Sequence, residues 1–201
     1  MSRPASSLPA SYFEAIYQAD PDPWRFASSE YEREKYQATL AALPTAVYQR
    51  GLEVGCSIGV LTRQLAQRCD RLLAIDCVES VLAEARERCA GVPGVEFARM
   101  ELPRQLPDGP FDLLMLSEVA YYWSTRDLEL VAEFARQAVT PGGDIVLVHW
   151  TGGTDYPLSG DEAAQRFIDA TCAFTQIALQ TRAEHYRIDV LRRSDPRPRR
   201  P

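Results

Sequence analysis

The sequence holds only two histidines, His149 and His185, and its five cysteines include no C-x-x-C pair. So small a supply of imidazole and thiolate leaves no ligand spacing for a structural zinc site, and no metal is expected. An odd cysteine count (positions 56, 69, 77, 89 and 172) without a disulfide framework points to reduced, mostly buried thiols and a cytoplasmic protein. A basic surplus is also missing. Against 22 Lys and Arg stand 28 Asp and Glu, and the net charge of −6 argues against a nucleic-acid partner. No apolar run approaches the roughly 20 residues of a membrane helix. The first residues carry one Arg and no apolar segment, so they do not read as a signal peptide. What these absences leave is an ordinary globular chain of 201 residues, long enough to bury a core as one domain.

What is present is order of a recognisable kind. Residues 1–10 are small, polar and proline-bearing, and are expected to be disordered. Ser11–Gln18 reads as a short helix with Tyr12, Phe13 and Ile16 on its apolar side, and Pro21 and Pro23 forbid its continuation. Ser28 or Ser29 caps a second helix over Glu30–Leu43, stopped by Pro44, with Tyr31, Glu32 and Lys35 near one face. This aromatic-rich stretch, 11–47, reads as packing against a sheet, as a helical lid over a ligand, or as both. From Tyr48 strand and helix patterns alternate, the signature of a parallel sheet. Strands are expected at Arg50–Val54, Arg71–Asp76, Val95–Met100, Phe111–Ser117 and Asp144–Trp150. Helices are expected at Val60–Cys69, Glu79–Cys89 and Thr125–Val139, and Pro141-Gly142-Gly143 reads as the turn into the fifth strand. A helix over Asp161–Cys172 then precedes strands Thr175–Thr181 and His185–Leu191, whose short link forces antiparallel pairing. The fold class is therefore α/β and Rossmann-like: a mostly parallel seven-stranded sheet with a C-terminal antiparallel hairpin and helices on both faces. The core spans 48–191, and the basic, proline-rich tail 192–201 reads as a disordered terminus.

Leu52-Glu53-Val54-Gly55-Cys56-Ser57-Ile58-Gly59 is a strand ending in a glycine-bearing turn that opens a helix, the place where α/β sheets bind ligands. Three chemistries compete for it. Gly55-Cys56-Ser57-Ile58-Gly59 spells the G-x-S-x-G elbow of a serine hydrolase, and a histidine does follow. Only a helical segment precedes the turn, however, and no H-G-G-G-type loop supplies oxyanion donors. The dinucleotide fingerprint G-x-G-x-x-G is not met, because a serine holds the middle place. The third is Glu53-x-Gly55-x-Ser57-x-Gly59, which resembles the first motif of Rossmann-like methyltransferases that bind S-adenosylmethionine. Further strand ends fall in register with it. Asp76 ends the second strand 17 residues past Gly59, where a carboxylate accepts from both ribose hydroxyls. Met100, Glu101 and Leu102 follow the third, where the resemblance implies an adenine contact, and Ser117-Glu118-Val119 ends the fourth.

The resemblance narrows with Asp22-Pro23-Trp24, Ser29-x-Tyr-Glu32, Leu52–Cys56, Ser117-Glu118-Val119-x-Tyr121-Tyr122 and Pro141-x-Gly143. Together these look like the nodulation protein S family of class I methyltransferases, over about Tyr12 to Leu191. The resemblance implies S-adenosylmethionine as cofactor and N-methylation of an amino sugar or related small polar amine, with a small-molecule or oligosaccharide acceptor. Its implied cofactor contacts are Trp24, Tyr31, Glu53, Gly55, Cys56, Ser57, Gly59, Asp76, Cys77, Met100, Glu101, Leu102, Ser117, Glu118 and Val119. An attacking amine must be a free base, and Glu118 and His149 are the candidate bases, with Tyr121 beside them in the catalytic set. Trp24 and Tyr31 are candidates to close the lid, and one of Tyr121 and Tyr122 to pack under a ligand. Each has a structural reading as well: Glu118 bonding backbone, His149 a satisfied core histidine, His185 a hairpin residue. Enzymatic O-methylation, a non-catalytic cofactor-binding module and a serine hydrolase at Ser57 stay open as alternatives, and the chain is expected as a monomer or homodimer without membrane attachment.

Overall fold

The computed structural model describes residues 3–195. Its strands are β1 (Tyr48–Val54), β2 (Cys69–Asp76), β3 (Val95–Arg99), β4 (Phe111–Ser117), β5 (Val139–Trp150), β6 (Thr175–Arg182) and β7 (Tyr186–Arg193). Its helices are α1 (Ala10–Ala19), α2 (Glu30–Ala42), α3 (Val60–Leu65), α4 (Glu79–Arg88), α5 (Thr125–Ala138) and α6 (Gly160–Thr171). The strands form one sheet in the order β3-β2-β1-β4-β5-β7-β6. Pairs among β1 to β5 are parallel, and β7 joins both β5 and β6 antiparallel. The α/β class and the C-terminal hairpin are as expected.

Sequence explains the layering. Leu113, Leu114, Met115 and Leu116 of β4 are all fully buried, as a strand covered on both faces must be. Leu114 and Leu116 pack with Leu128, Val131 and Phe167 of α5 and α6. Leu113 and Met115 pack on the other face with Tyr36, Leu61 and Leu65 of α2 and α3. β6 is the exposed edge, and its Gln176, Gln180 and Arg182 are the polar side chains that discourage further pairing there. Ser29 caps α2 by accepting from Glu32 N–H, Ser124 caps α5 through Asp127 N–H, and Ser159 forms a capping box with Glu162 on α6.

Five expectations are corrected. Cys69 does not close α3. The helix ends at Leu65 and tightens into a 3-10 turn at Ala66–Arg68, because the Arg68 guanidinium reaches the carbonyls of Leu40, Thr45 and Ala46 and turns Cys69 into β2. Pro141-Gly142-Gly143 is not a turn before β5 but a bulge inside it. Val139 pairs with Phe111, the register slips, and pairing resumes at Leu113 with Asp144, so the proline owes no ladder bond. Residues 3–10, expected to be disordered, are docked: Leu8 N–H donates to the Tyr122 carbonyl at 2.9 Å, and Ser124 N–H to Ser7 Oγ at 2.8 Å. Arg192 and Arg193 belong to β7 rather than to a tail, and Arg192 grips the buried Asp144 carboxylate at 2.9 and 3.0 Å. The rest of that expected tail, 196–201, lies outside the described residues. His185 likewise falls in the turn before β7 rather than within the strand.

The topology leaves β1 hydrogen-bonded to β2 on one side and β4 on the other, so connections depart to opposite sides from neighbouring strand ends. A crevice opens between their C-terminal ends. Gly59, at φ +77°, starts α3, and a Cβ there would lie 2.9 Å from Ala85 Cβ and 3.0 Å from its Cα on α4. Gly59→Ala is expected to lose roughly 2–4 kcal/mol from combined backbone strain and overpacking, measured as a lower urea midpoint at unchanged slope.

Candidate active site

The crevice is a deep cavity at the C-terminal ends of β1, β2 and β4, closed from outside by the N-terminal segment. Its floor is the β1 turn, where Gly55, Ser57 and Gly59 have φ of +74°, +49° and +77°. Gly55 and Cys56 N–H both donate to the Ile75 carbonyl, at 2.8 and 3.0 Å, which ties the turn to β2. Asp76 completes the tie. One carboxylate oxygen accepts from Ser57 N–H at 2.9 Å and the other from Val78 N–H at 3.0 Å. Its roles as loop anchor and ribose acceptor are compatible, since each carboxylate oxygen has two lone pairs.

Phe13, Tyr17, Trp24 and Phe26 of the N-terminal segment form the outer wall. Tyr17 shares a buried hydrogen bond of 2.6 Å with Ser57 Oγ, which latches α1 to the glycine turn. Burial, and next Asp76, push the Tyr17 phenol far above its ordinary range, so it stays protonated. That bond also removes the hydrolase reading. Ser57 pairs with a tyrosine, while His149 Nε2 accepts Ala120 N–H at 3.2 Å, so the two form no nucleophile–base pair.

Glu53 gives the cavity its character. The residue is 2% exposed, one carboxylate oxygen is buried without a partner among the described residues, and burial followed by the nearby Asp76 raises its pKa to about 8 despite the Thr62 hydroxyl. Asp76, Glu101, Glu118 and Asp127 line the same cavity, against Arg104 as the basic residue in its wall. An acidic cavity with an unpartnered buried carboxylate suits a ligand that carries positive charge. S-adenosylmethionine has two such groups, an ammonium and a sulfonium, so the residues present fit it.

Of the sequence-derived contacts, Trp24, Glu53, Gly55, Cys56, Ser57, Asp76, Cys77, Met100, Glu101, Leu102, Ser117, Glu118 and Val119 all line the cavity. Gly59 lies behind it, packing α3 on α4. Glu101 is engaged by Arg104 at the rim. Tyr31 is outside the lining. Its ring meets Trp150 edge-on at 5.7 Å, and its hydroxyl is buried without a partner among the described residues.

The catalytic candidates are corrected more sharply. His149 is fully buried behind the cavity wall, and burial pushes its pKa down to about 4, so it is a neutral core imidazole and not a base at the rim. Tyr121, 5% exposed, also lies behind the wall and donates to Glu118 at 2.7 Å. Glu118 is at the cavity, in a left-handed backbone conformation with φ +56°. Lys35 Nζ contacts one of its oxygens at 2.5 Å, and Tyr121 hydroxyl and Trp150 N–H the other at 2.7 and 2.8 Å. Burial alone would raise its pKa, but the Lys35 charge and these bonds hold it below the ordinary value. A carboxylate so satisfied is a fixed anion and a weak base.

Sequence reasoning placed Lys35 and Glu32 on one helix face without assigning them a role. The available signal was a charged pair in helical phase with Tyr36 and Thr39, all four now buried. Tyr17 carried no such signal.

A family model described as Nodulation protein S (NodS) matches residues 15–141. Nodulation protein S of Rhizobium tropici is 28% identical over 162 residues, 80% of this chain and 64% of that protein. Its namesake from Bradyrhizobium diazoefficiens is 29% identical over 160 residues, 79% of this chain and 72% of that one. The chain therefore spans just under two thirds of the R. tropici protein's length. N-methyltransferase NodS from Bradyrhizobium japonicum WM9, solved in complex with S-adenosyl-L-homocysteine, shares the fold with a TM-score of 0.81 at 22% identity, covering 92% of this chain and 98% of its own.

The Glu53 site has a measurable cost. Its folded pKa lies above the unfolded value, so the penalty is absent below about pH 4.5, grows as pH rises, and is complete above about 8. Glu53→Gln is expected to raise Tm by roughly 5 °C at pH 9 and to leave it unchanged at pH 4.5, read by calorimetry of both proteins at each pH.

Proposed function

The chain belongs to the nodulation protein S family, and we propose that it is an S-adenosylmethionine-dependent methyltransferase acting on the nitrogen of a small polar amine, an amino sugar first. The observation that carries this reading is the pairing, in one cavity, of the unpartnered Glu53 carboxylate with the buried Glu118 anion. The family relationship supports the reaction, and the NodS structure bound to S-adenosyl-L-homocysteine supports the cofactor. Five cysteines without disulfides among the described residues support a cytoplasmic setting. Among the described residues no helix is long and apolar enough to cross a membrane.

When bound, S-adenosylmethionine supplies an electrophilic methyl group on a sulfonium. The chain's own work is placement and electrostatics. Glu53 would hold the ammonium end of the cofactor, Asp76 the ribose, and Met100 to Leu102 the adenine, all from the cavity lining. Glu118 would stand beside the acceptor nitrogen as it gains positive charge on taking the methyl group, and a fixed anion there would stabilise the transition state more than the neutral amine. Ordering donor and acceptor in this way is worth roughly 7–11 kcal/mol in favourable cases.

Neither Glu118 nor His149, the two candidate bases, is suited to removing a proton before transfer. Glu118 is held ionised by Lys35, and His149 is buried with its pKa near 4. That favours an amine, which attacks through its own lone pair, over a hydroxyl, which needs a base.

The decisive measurement is transfer of labelled methyl from S-adenosylmethionine to chitotetraose freed of its terminal acetyl group, with intact chitotetraose as control. Label is expected on the freed amine alone, and equal labelling of both would defeat the amine reading. At saturating cofactor, the rate is expected to rise with pH along the acceptor's own ammonium titration, so acceptors of different basicity should shift the inflection. Asp76→Ala is expected to weaken S-adenosylmethionine binding by about tenfold or more in calorimetry, as ribose bonds and the loop anchor go together.

A further inference from the structure

Three buried charges meet where α2 crosses the end of β4. Lys35 Nζ lies 2.9 Å from Glu32 and 2.5 Å from Glu118, with side chains 2%, 8% and 12% exposed. Lys35 also stands 5.1 Å over the Tyr31 ring, and the second Glu32 oxygen is buried without a partner among the described residues. Apolar side chains of like volume would pack this junction at least as well, because burying ions costs several kcal/mol each before they attract one another. The Glu118 backbone is strained as well, and strain held at a cavity wall marks a site of use.

We propose that Lys35, balanced by Glu32, is a positioning residue that holds the Glu118 carboxylate at the cavity as the anionic partner of the acceptor nitrogen, and so selects amine acceptors over carboxylate or hydroxyl ones; the proposal rests on the methyl-transfer reading above. The hydrogen-bond inventory supports it. A carboxylate has about four acceptor positions. Trp150 N–H and Tyr121 hydroxyl occupy one oxygen of Glu118, and Lys35 takes one position on the other. That oxygen keeps a further acceptor position, and Glu118 lies in the cavity lining while Lys35 and Glu32 do not.

The charge sum points the same way. With both carboxylates ionised, they and the one ammonium leave one net negative charge, which favours the methylated, cationic product and repels a carboxylate, while burial raises Glu32 above its ordinary value against the pull of Lys35. Without Lys35, two buried carboxylates would face each other and one would take up a proton. The groups that set this balance are Tyr31, Glu32, Lys35 and Tyr36 from α2, Tyr121 from the turn after β4, and His149 from β5 with Arg187 and Asp189 of β7 behind it. Lys35 stays charged because Glu118 and then Glu32 outweigh the opposing effect of its burial.

The test uses the full chain with S-adenosylmethionine and the chitotetraose amine. Lys35→Met is expected to keep cofactor affinity within about threefold while kcat falls by at least about tenfold, and to bring an acid limb into the neutral range of the rate profile. Carbon-13 titration of the glutamate carboxyls, with the Glu118 resonance assigned through Glu118→Gln, reads the same event without turnover. One carboxyl that is silent near neutrality in the wild type should titrate there in Lys35→Met, and Lys35→Arg should restore the silence. Should Lys35→Met fail to fold, Glu32→Gln keeps the Lys35–Glu118 pair and is expected to raise KM for the amine about threefold to tenfold with kcat and the pH profile unchanged. An unaltered titration in Lys35→Met, or equal losses of cofactor binding and turnover, overturns the proposal, as does an unaltered KM in Glu32→Gln. A wild-type protein that methylates no amine defeats the functional reading instead, and the carboxyl titration then still decides whether Lys35 governs Glu118.

Discussion

A lysine ammonium only 2% exposed must find counter-charge inside the protein, and here it finds it on both sides. Lys35 reaches across 83 residues of sequence to Glu118 and draws α2 onto the end of β4. Much of the site's geometry depends on that demand. Glu118, held from one side by Lys35, is held from the other by Tyr121 and by Trp150 N–H at the end of β5. One carboxylate thus ties together α2, the loop after β4 and the end of β5. The cavity stands in front of it and the core behind.

Around that anchor the cavity divides its labour by charge. On one side is the glycine turn after β1, tied to β2 through Asp76 and covered by α1 through the Tyr17–Ser57 bond. Glu53 at its base is costly to bury and has one oxygen without a partner among the described residues, a stability sacrifice that a cationic ligand would relieve. Glu118 is the opposite case. With three donors on its two oxygens, one of them the Lys35 ammonium, it holds its charge at little risk of protonation. Two acidic residues at the ends of adjacent strands therefore have different chemistry, because one has its donors in the protein and the other waits for them.

The two candidate bases are placed by the same demand for partners. His149 looked suitable in sequence because it ends β5, yet its Nε2 accepts Ala120 N–H and its ring lies against Tyr121 at 5.3 Å. It supports the turn that presents Glu118. Tyr121 is a support of the same kind. What Glu118 presents to the cavity is an anion, and under the proposed reading that anion would assist the formation of an ammonium.

The sequence by itself determined the order of strands and helices, the β1 turn as a cradle, and nearly all of the cavity's floor. Those features are local: a period of two or 3.6, a glycine where φ is positive, a carboxylate at a strand's last residue. It also settled the antiparallel hairpin, since so short a link permits nothing else. Only the tertiary structure decided that Lys35 meets Glu118, that Tyr17 latches Ser57, that His149 faces inward and that residues 3–10 are docked. Each of these joins groups far apart in the chain, 83 residues for the first and 40 for the second. No local pattern specifies which buried polar group will answer another, because that choice is made when the layers close and every buried charge must find its partner.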